Sequence, residues 1–204
     1  MNVRSLGRVA YEPTWRAMQA FTAARDETTA DELWLLEHPP VYTLGLAGRS
    51  AHLPRVATAI PVVHIDRGGQ ITYHGPGQVV LYTLLDLARR GLSVRALVRT
   101  LEQSVIDLLG RYGIRATNRT DAPGVYVDGA KIAALGLRIR KGRCYHGLAL
   151  NVDMDLAPFL VIDPCGYSGM PVTCLRDLQI RASPTAVGEA LLETLLQHLD
   201  ERVS

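Results

Sequence analysis

The sequence predicts a mixed α+β (α/β) fold in which a central mixed, largely antiparallel sheet is flanked by helices. Short apolar runs of strand length alternate with glycine, proline and Asp-Gly turn signals along much of the chain. Two other segments carry apolar residues at the three- and four-residue spacing of amphipathic helices. Strand-like runs joined by tight turns favour antiparallel neighbours in the sheet.

The first part of the chain predicts a helix followed by strands. Pro13 is predicted as the first helical position and starts a mixed segment that extends to about Asp31. ELWLLEH is then predicted as a strand that ends at Pro39, and PVVHI and VVLYTLLDL as two further strands. Between these two lies RGGQITYHGPGQ, residues 67–78, where the glycines and the proline predict an irregular loop.

The second part predicts a helix, an antiparallel meander and a terminal helix. Ser93 is a favourable cap for a helix with the apolar residues Val94, Leu97, Val98, Leu101, Val105, Leu108 and Leu109. Asp128-Gly129 and Lys141-Gly142 are hairpin-type turns that join GVYV, AKIAALGLRIR and RCYHGLALNV. Ser183-Pro184 opens an amphipathic helix to the end of the chain.

Length and composition predict one globular domain over residues 1–204. Hydrophobic residues make up 48% and charged residues 21%, as in ordinary folded domains. We expect a cytoplasmic protein, since no run reaches the about 18 apolar residues of a membrane span and no cleavable leader is recognisable. Three cysteines without C-x-x-C spacing predict reduced thiols. The histidines lack metal-ligand spacing, so neither a metal nor another cofactor is predicted.

Cys165 is the candidate nucleophile. It lies between a proline and a glycine in IDPCGYSGMPVTCL, a segment too rich in helix and strand breakers for a core element. A thiol on such a turn can be presented to a substrate, whereas Cys144 lies in an apolar run and is expected to be structural. Cys174, beside Leu175, is expected to pack in the core. An inert loop thiol remains the alternative for Cys165.

Lys131 is the candidate base. The chain has 22 basic residues, and only Lys131 and Lys141 are lysines. A lysine in so arginine-rich a chain suits a position where the side chain must lose a proton, which arginine does not, and codon bias is the alternative explanation. In the strand after Asp128-Gly129, Lys131 shares the parity of Leu135 and Leu137, which predicts an inward side chain. A buried lysine favours its neutral form, which can take a proton from a thiol. A β-bulge that turns the side chain to solvent is the alternative.

The glycine-rich segment 67–78 and the arginines leave several interpretations open. Backbone N–H groups freed by Gly68 and Gly69 could bind a thioester carbonyl, but a plain structural turn is the alternative, especially for His74. The segment lacks the ending of a phosphate-binding loop, so nucleotide binding is weakly indicated. Arginines cluster at 89–119 and 138–143 with few aromatic residues. A nucleic-acid surface is one interpretation, although it lacks aromatic side chains for base stacking, and a basic rim for an acidic protein partner explains the clusters equally well.

Three motifs in order, RGGQITYHGPGQ, GAKIAALGLRIRKGRCYHGLALNV and DPCG followed by VTCL, resemble the octanoyl-[acyl carrier protein]:protein octanoyltransferase (lipoyl/octanoyl transferase) family. The resemblance spans about residues 31–180. It implies a fold similar to that of biotin and lipoate protein ligases. It also implies transfer of an octanoyl (or lipoyl) group from acyl carrier protein to a lysine of lipoyl domains, in 2-oxoacid dehydrogenases and the glycine cleavage H protein. No nucleic acid or membrane partner is expected, and the chain is expected to be a monomer.

The resemblance also implies site residues. The family's catalytic cysteine falls on Cys165 and its lysine on Lys131, the two residues already selected. The implied substrate-binding residues are Arg67, Gly68, Gly69, Gln70, Ile71, Thr72, Tyr73, His74, Ala134, Leu135, Gly136, Gly147, Leu148 and Ala149. One departure is Cys174, where the family pattern has serine.

These residues predict a two-step mechanism. Lys131 takes the proton of Cys165, the thiolate forms an octanoyl-enzyme, and the acceptor lysine then receives the acyl group, with Lys131 serving again as base. The alternatives are an ATP-dependent lipoate-protein ligase, a cysteine hydrolase with His74 as base, and a non-enzymatic nucleic-acid module.

Overall fold

A computed structural model describes residues 1–162 and 170–201 of the chain. The helices are α1 (Tyr11–Ala24), α2 (Val94–Arg111) and α3 (Pro184–Glu201), and short 3₁₀ helices occupy Ser50–His52 and Ala157–Val161. The strands are β1 (Asn2–Arg8), β2 (Glu32–Glu37), β3 (Val41–Leu44), β4 (Val62–His64), β5 (Ile71–His74), β6 (Gln78–Asp86), β7 (Thr117–Asn118), β8 (Gly124–Val127), β9 (Ala130–Arg140) and β10 (Arg143–Asn151).

The strands form a large and a small sheet. The large sheet has seven strands in the order β1-β2-β6-β10-β9-β8-β7, and each neighbouring pair after β1-β2 is antiparallel. The small sheet has the order β4-β3-β5, with β3 parallel to β4 and antiparallel to β5. This mixed architecture confirms the predicted fold class.

Helices cover the two faces of the large sheet unequally. On one face, α2 and α3 pack together over Leu81, Leu148 and their neighbours, with Leu101 and Leu195 fully buried between helix and sheet. Burial of a leucine side chain contributes roughly 1.5–3 kcal/mol, so this layer is the main stabilising core. On the other face, α1 packs Met18 against the inner strands. The rest of that face, along β9 and β10, lies opposite β5 and leaves a cavity.

The predicted turns and the cap of α2 are confirmed. Asp128 and Gly129 have φ of 49° and 81°, and Lys141 and Gly142 have φ of 50° and 75°, as two-residue hairpin turns require. Ser93 Oγ accepts a hydrogen bond from the Ala96 N–H at the start of α2. The meander β8-β9-β10 therefore forms where the sequence predicts it.

Other local predictions were wrong. Segment 67–78 is not wholly irregular, because residues 71–74 form β5 by pairing with β3. Helix α1 begins at Tyr11 and ends at Ala24, well before Asp31. Strands β1, β3 and β7 were not predicted, since β1 and β7 are largely exposed and lack an apolar pattern. The positions of β1 and β3 depend on pairing with strands that lie farther along the chain.

No helix within residues 1–162 and 170–201 has the length and apolar character needed to cross a membrane.

Candidate active site

A cavity of about 760 Å³ of atom-free space, partly open to solvent, lies between the two sheets. Its floor comes from β9 and β10, its opposite wall from β5 and the residues before it, and one side from α1 through Tyr11. The walls are largely apolar, with Ile71, Val80, Phe159 and Val172 among the lining residues. Among the described residues that line it, none is an aspartate or a glutamate.

Most of the predicted substrate-binding residues meet in this cavity. Tyr73 is an exception, because its ring packs against Tyr42 and Phe159. Gly68 is the other, since its N–H bonds the Leu137 carbonyl and it lines an adjoining open groove. The predicted residues that line the cavity are Arg67, Gly69, Gln70, Ile71, Thr72, His74, Ala134, Leu135, Gly136, Gly147, Leu148 and Ala149.

Two paired glycines keep the cavity floor flat. Gly136 of β9 and Gly147 of β10 face each other in register. A Cβ at Gly136 would lie 2.7 Å from Arg67 Cδ, and one at Gly147 would lie 2.1 Å from the Leu81 carbonyl oxygen. A side chain at Gly136 would therefore clash with Arg67, and one at Gly147 would clash with the backbone of β6.

Arg67 places a buried positive charge in the wall of the cavity. Its guanidinium donates to the Thr43 carbonyl and hydroxyl at 2.7 and 2.9 Å, and to the Gly68 carbonyl at 2.9 Å. The side chain crosses over Gly136, which has no Cβ to obstruct it. Such a fixed cation can stabilise negative charge that develops on a bound carbonyl oxygen.

Lys131 lies buried at the edge of the cavity, with 4% of its surface exposed. Its Nζ is 3.4 Å from the Pro123 carbonyl oxygen and 5.3 Å from the centre of the Tyr126 ring. Gly124 allows this position, because a Cβ there would lie 3.1 Å from Lys131 Cε. The lysine is thus enclosed by β8 and the chain before it.

The parity argument for Lys131 was wrong, although its burial was predicted. The register of β8 and β9 shifts between Lys131, which pairs with Tyr126, and Ala133, which pairs with Val125. Because of this bulge, Lys131 lies on the cavity face, whereas Ala133 packs into the core beneath α2. A β-bulge was the alternative expected to turn Lys131 to solvent. In the structure, the bulge instead directs the side chain to the cavity.

The chain that follows segment 163–169 pairs with the backbone of Lys131. The Lys131 N–H donates to the Pro171 carbonyl at 2.8 Å, and the Thr173 N–H donates to the Lys131 carbonyl at 3.0 Å. Cys165, the candidate nucleophile, lies outside the described residues. Cys144 and Cys174 are fully buried, as expected of structural cysteines, and burial raises the pKa of both thiols.

Hydrogen bonds through two side-chain amides connect His74 to the backbone of Thr173. His74 Nδ1 lies 2.7 Å from Gln78 Oε1, Gln78 Nε2 donates to Asn151 Oδ1 at 2.9 Å, and Asn151 Nδ2 donates to the Thr173 carbonyl at 3.0 Å. Burial, with help from nearby His38, lowers the pKa of His74 to about 3. The His74 imidazole is therefore neutral near pH 7.

Sequence reasoning missed His146, which also lines the cavity. Its Nε2 lies 3.2 Å from Asp66 Oδ1, and its backbone has the unusual φ of 65°. Gln78, Asn151 and Tyr82 were missed as well. In the sequence Gln78 ends the predicted loop and the other two lie in predicted strands, and only the side-by-side arrangement of β6 and β10 brings them to one cavity.

Comparisons with known proteins agree on one family. Residues 10–196 match the model of the lipoyl protein ligase A/B catalytic domain. An octanoyltransferase of Thiobacillus denitrificans is 68% identical over 193 residues, which cover 95% of this chain and 88% of that protein. An octanoyltransferase of Azoarcus sp. is 64% identical over 97% of this chain and 87% of its own length.

Solved structures of more distant proteins share the fold. Lipoate-protein ligase A bound with ATP has a TM-score of 0.76 at 18% identity, covering 98% of this chain and 86% of that one. Biotin protein ligase of Aquifex aeolicus, in complex with biotin and ATP, has a TM-score of 0.63 at 14% identity, covering 98% and 71%. These likenesses confirm the ligase-like fold that the sequence motifs implied.

Proposed function

Because the chain belongs to the lipoyl protein ligase A/B catalytic domain family, we propose that it is an octanoyltransferase that moves an octanoyl group from acyl carrier protein to a lysine of lipoyl domains. The close relatives named octanoyltransferase support the acyl group and the reaction type. The chain acts in this proposal as one catalytic domain over residues 1–204, in the cytoplasm and as a monomer.

The observation that carries the proposal is a single cavity that combines apolar walls with a buried lysine. An eight-carbon chain needs apolar walls, which Ile71, Val80 and Ala149 contribute. A thioester carbonyl needs donors, and Arg67 and the backbone of its loop stand at the wall. Attack on that carbonyl needs a base, and Lys131 lies at the cavity edge.

In the first step, Lys131 as a neutral amine takes the proton of Cys165. The thiolate then attacks the octanoyl thioester, a new C–S bond forms, and the bond to the carrier thiol breaks. The carrier thiolate leaves with the proton that Lys131 holds. Support comes from the backbone hydrogen bonds of Lys131 with Pro171 and Thr173, because this segment follows Cys165 by only a few residues in the sequence.

In the second step, the amine of the acceptor lysine attacks the octanoyl-enzyme. A C–N bond forms, the C–S bond to Cys165 breaks, and the proton that the amine loses passes through a base to the Cys165 sulfur, which leaves a free thiol. A thioester is already activated toward an amine, so this route needs no ATP, metal or other cofactor. The acceptors are the lipoyl domains of 2-oxoacid dehydrogenases and the glycine cleavage H protein.

The intact mass of the protein after incubation with octanoyl-acyl carrier protein tests this scheme. We expect the wild-type chain to gain one octanoyl group and Cys165→Ala to gain none. Lys131→Arg should form the adduct about 100-fold or more slowly, because a guanidinium cannot take the thiol proton. Lys141→Arg is the matched control, since the other lysine lies in an exposed turn and should be replaceable without effect.

The same samples distinguish the rival activities. A lipoate-protein ligase would need ATP and free octanoate to form the octanoylated lipoyl domain, and it would form no adduct with Cys165. A hydrolase would release octanoate without an acceptor, and Lys131→Ala would retain that activity. Octanoylated lipoyl domain formed without any enzyme adduct would overturn the two-step scheme.

A further inference from the structure

The side chain of His146 lies on the face of β10 opposite to the one that strand alternation predicts. Successive side chains in a strand point to opposite faces. Cys144, Leu148 and Leu150 accordingly pack in the core beneath α2 and α3, while Tyr145 and Ala149 belong to the opposite face. His146 should therefore join Cys144, yet its imidazole and the Tyr145 hydroxyl both bond Asp66.

The left-handed backbone of His146 produces this exception. Its φ of 65° is uncommon for a residue with a side chain. Around it β10 makes no ladder pairs with β6 between Cys144 and Gly147, and Thr83 Oγ1 donates to the freed His146 carbonyl at 3.1 Å. Strain of this kind persists where the surrounding structure enforces it, and it gathers at functional sites. Here it moves an imidazole from an apolar core to the wall of the cavity.

Asp66 fixes the orientation of this imidazole. Its two oxygens accept from Trp15 Nε1 at 2.8 Å, Gln19 Nε2 at 3.1 Å, the Tyr145 hydroxyl and His146 Nε2 at 3.2 Å. Burial raises the pKa of Asp66, but the hydrogen bonds from these four side chains outweigh it and hold the pKa well below its usual range. Asp66 is thus an anion, and His146 Nε2 carries a hydrogen toward it.

The remaining ring nitrogen of His146 is therefore a proton acceptor. Burial lowers the pKa of His146, and the charges of Arg67 and Arg138 act in the same direction, against the effect of Asp66. The imidazole is neutral near pH 7, with hydrogen on Nε2 and a lone pair on Nδ1. The ring stands edge-on to that of Tyr82, another cavity residue, with centroids 6.0 Å apart.

We propose that His146, oriented by Asp66, takes the proton of the acceptor amine when that amine attacks the octanoyl-enzyme. This assignment rests on the proposed octanoyltransferase function and gives the second step a base other than Lys131. As the C–N bond forms, one N–H bond of the amine breaks and its proton passes to Nδ1. The imidazolium that results is stabilised by the Asp66 carboxylate. The C–S bond breaks, and the proton is finally returned to the Cys165 sulfur, so thioester and amine become amide and thiol.

The test measures the two steps separately in the full chain. Octanoyl-enzyme is formed from octanoyl-acyl carrier protein, freed of donor, and mixed with a lipoyl domain that carries its unmodified lysine, and intact mass follows both steps. In His146→Gln, the amide nitrogen can still donate to Asp66, but no base remains. We expect octanoyl-enzyme to form at the wild-type rate and to lose its acyl group to the acceptor about 100-fold more slowly or worse.

Two controls keep the test decisive. Asparagine tolerates positive φ, so His146→Asn replaces the first variant if glutamine prevents folding. Hydroxylamine should release the acyl group as octanoyl hydroxamate equally from the wild-type and variant octanoyl-enzymes, which shows that the thioester is intact. Unchanged transfer to the lipoyl domain, or equal slowing of both steps, would overturn the role of His146. Absence of any octanoyl-enzyme on the wild-type chain would instead overturn the two-step scheme of the proposed function.

Discussion

At the scale of single residues, Gly147 shows how tightly the cavity floor is built. A Cβ there would lie 2.1 Å from the Leu81 carbonyl oxygen, a backbone atom of a central strand. We expect Gly147→Ala to lower the free energy of unfolding by about 1–3 kcal/mol, because β6 and β10 must separate to admit the methyl group. Urea unfolding followed by circular dichroism measures this loss.

Gly110 provides the control for this substitution. It lies within α2, and a Cβ there would meet no atom within 4 Å. Gly110→Ala should raise the free energy of unfolding by about 0.5–1 kcal/mol, since alanine is the better helix former. If both alanines changed stability in the same direction, the steric account of Gly147 would be wrong.

The sequence predicted which residues belong to the site better than it predicted where their side chains point. The scarcity of lysine and the turn beside it selected Lys131, and its burial was predicted. The face of the sheet on which the Lys131 side chain lies was not predicted. The bulge between Lys131 and Ala133 reverses the alternation of side chains for the residues of β9 that precede it. His146 was passed over for a related reason. The positive φ of His146 lies inside a strand, whereas those of Asp128 and Lys141 lie in the predicted turns between strands.

At the scale of elements, the start of α2 depends on one hydroxyl. Ser93 Oγ accepts from the Ala96 N–H, one of the first N–H groups of the helix, which have no partner within it. Ser93→Ala should reduce the free energy of unfolding by about 1 kcal/mol, and Ser93→Asp should preserve it, because aspartate is as good a cap. Denaturant midpoints of the three proteins make the comparison. Equal losses in both variants would show that the hydrogen bond to the Ala96 N–H is not what Ser93 contributes to stability.

Elements that carry their own pattern were predictable, and elements defined by a partner were not. The α2 helix and the hairpins of β8, β9 and β10 have periodicity and turn residues within their own segments. Strand β5 lies among glycines and exists because β3 runs beside it. The cavity follows the same rule. Its three motif segments could be named from the sequence, but the amide chain from Gln78 to Asn151 depends on the register of β6 and β10.

At the scale of the whole molecule, Asp31 ties α1, β2 and the turn after β6 together. This buried carboxylate bonds the fully buried Arg25 side chain, Arg89 at 2.7 Å and Arg90 at 2.5 Å, and accepts from the Asp86 N–H. Burial raises the pKa of Asp31, but the bonds from Arg25, the Asp86 N–H and Arg90 outweigh it, so the pKa lies below its usual value.

The sign of this shift gives a pH dependence. A carboxyl with a lowered pKa in the folded state stabilises the fold above its ordinary pKa of about 4 and loses this effect as pH falls through the folded value. Asp31→Asn should cost about 3–5 kcal/mol at pH 7, because buried Arg25 loses its anion. The difference from wild type should shrink at pH 3, as measured by urea unfolding at both pH values.

An exposed ion pair is the control for Asp31. Glu193 bonds Arg111 at 3.2 Å with both side chains largely exposed. Glu193→Gln should change stability by less than about 1 kcal/mol. A pH-independent effect of Asp31→Asn would mean that shape, and not charge, is what Asp31 contributes.

The near absence of lysine also bears on how an enzyme with the proposed activity toward lysines avoids modifying itself. Of the two lysines, Lys131 is enclosed by β8 and its flanking chain, and Lys141 lies in an exposed turn. The other 20 basic side chains are guanidiniums, which stay protonated and do not compete for a thioester. The surface that meets an activated acyl donor thus keeps its positive charge while offering that donor few amine targets.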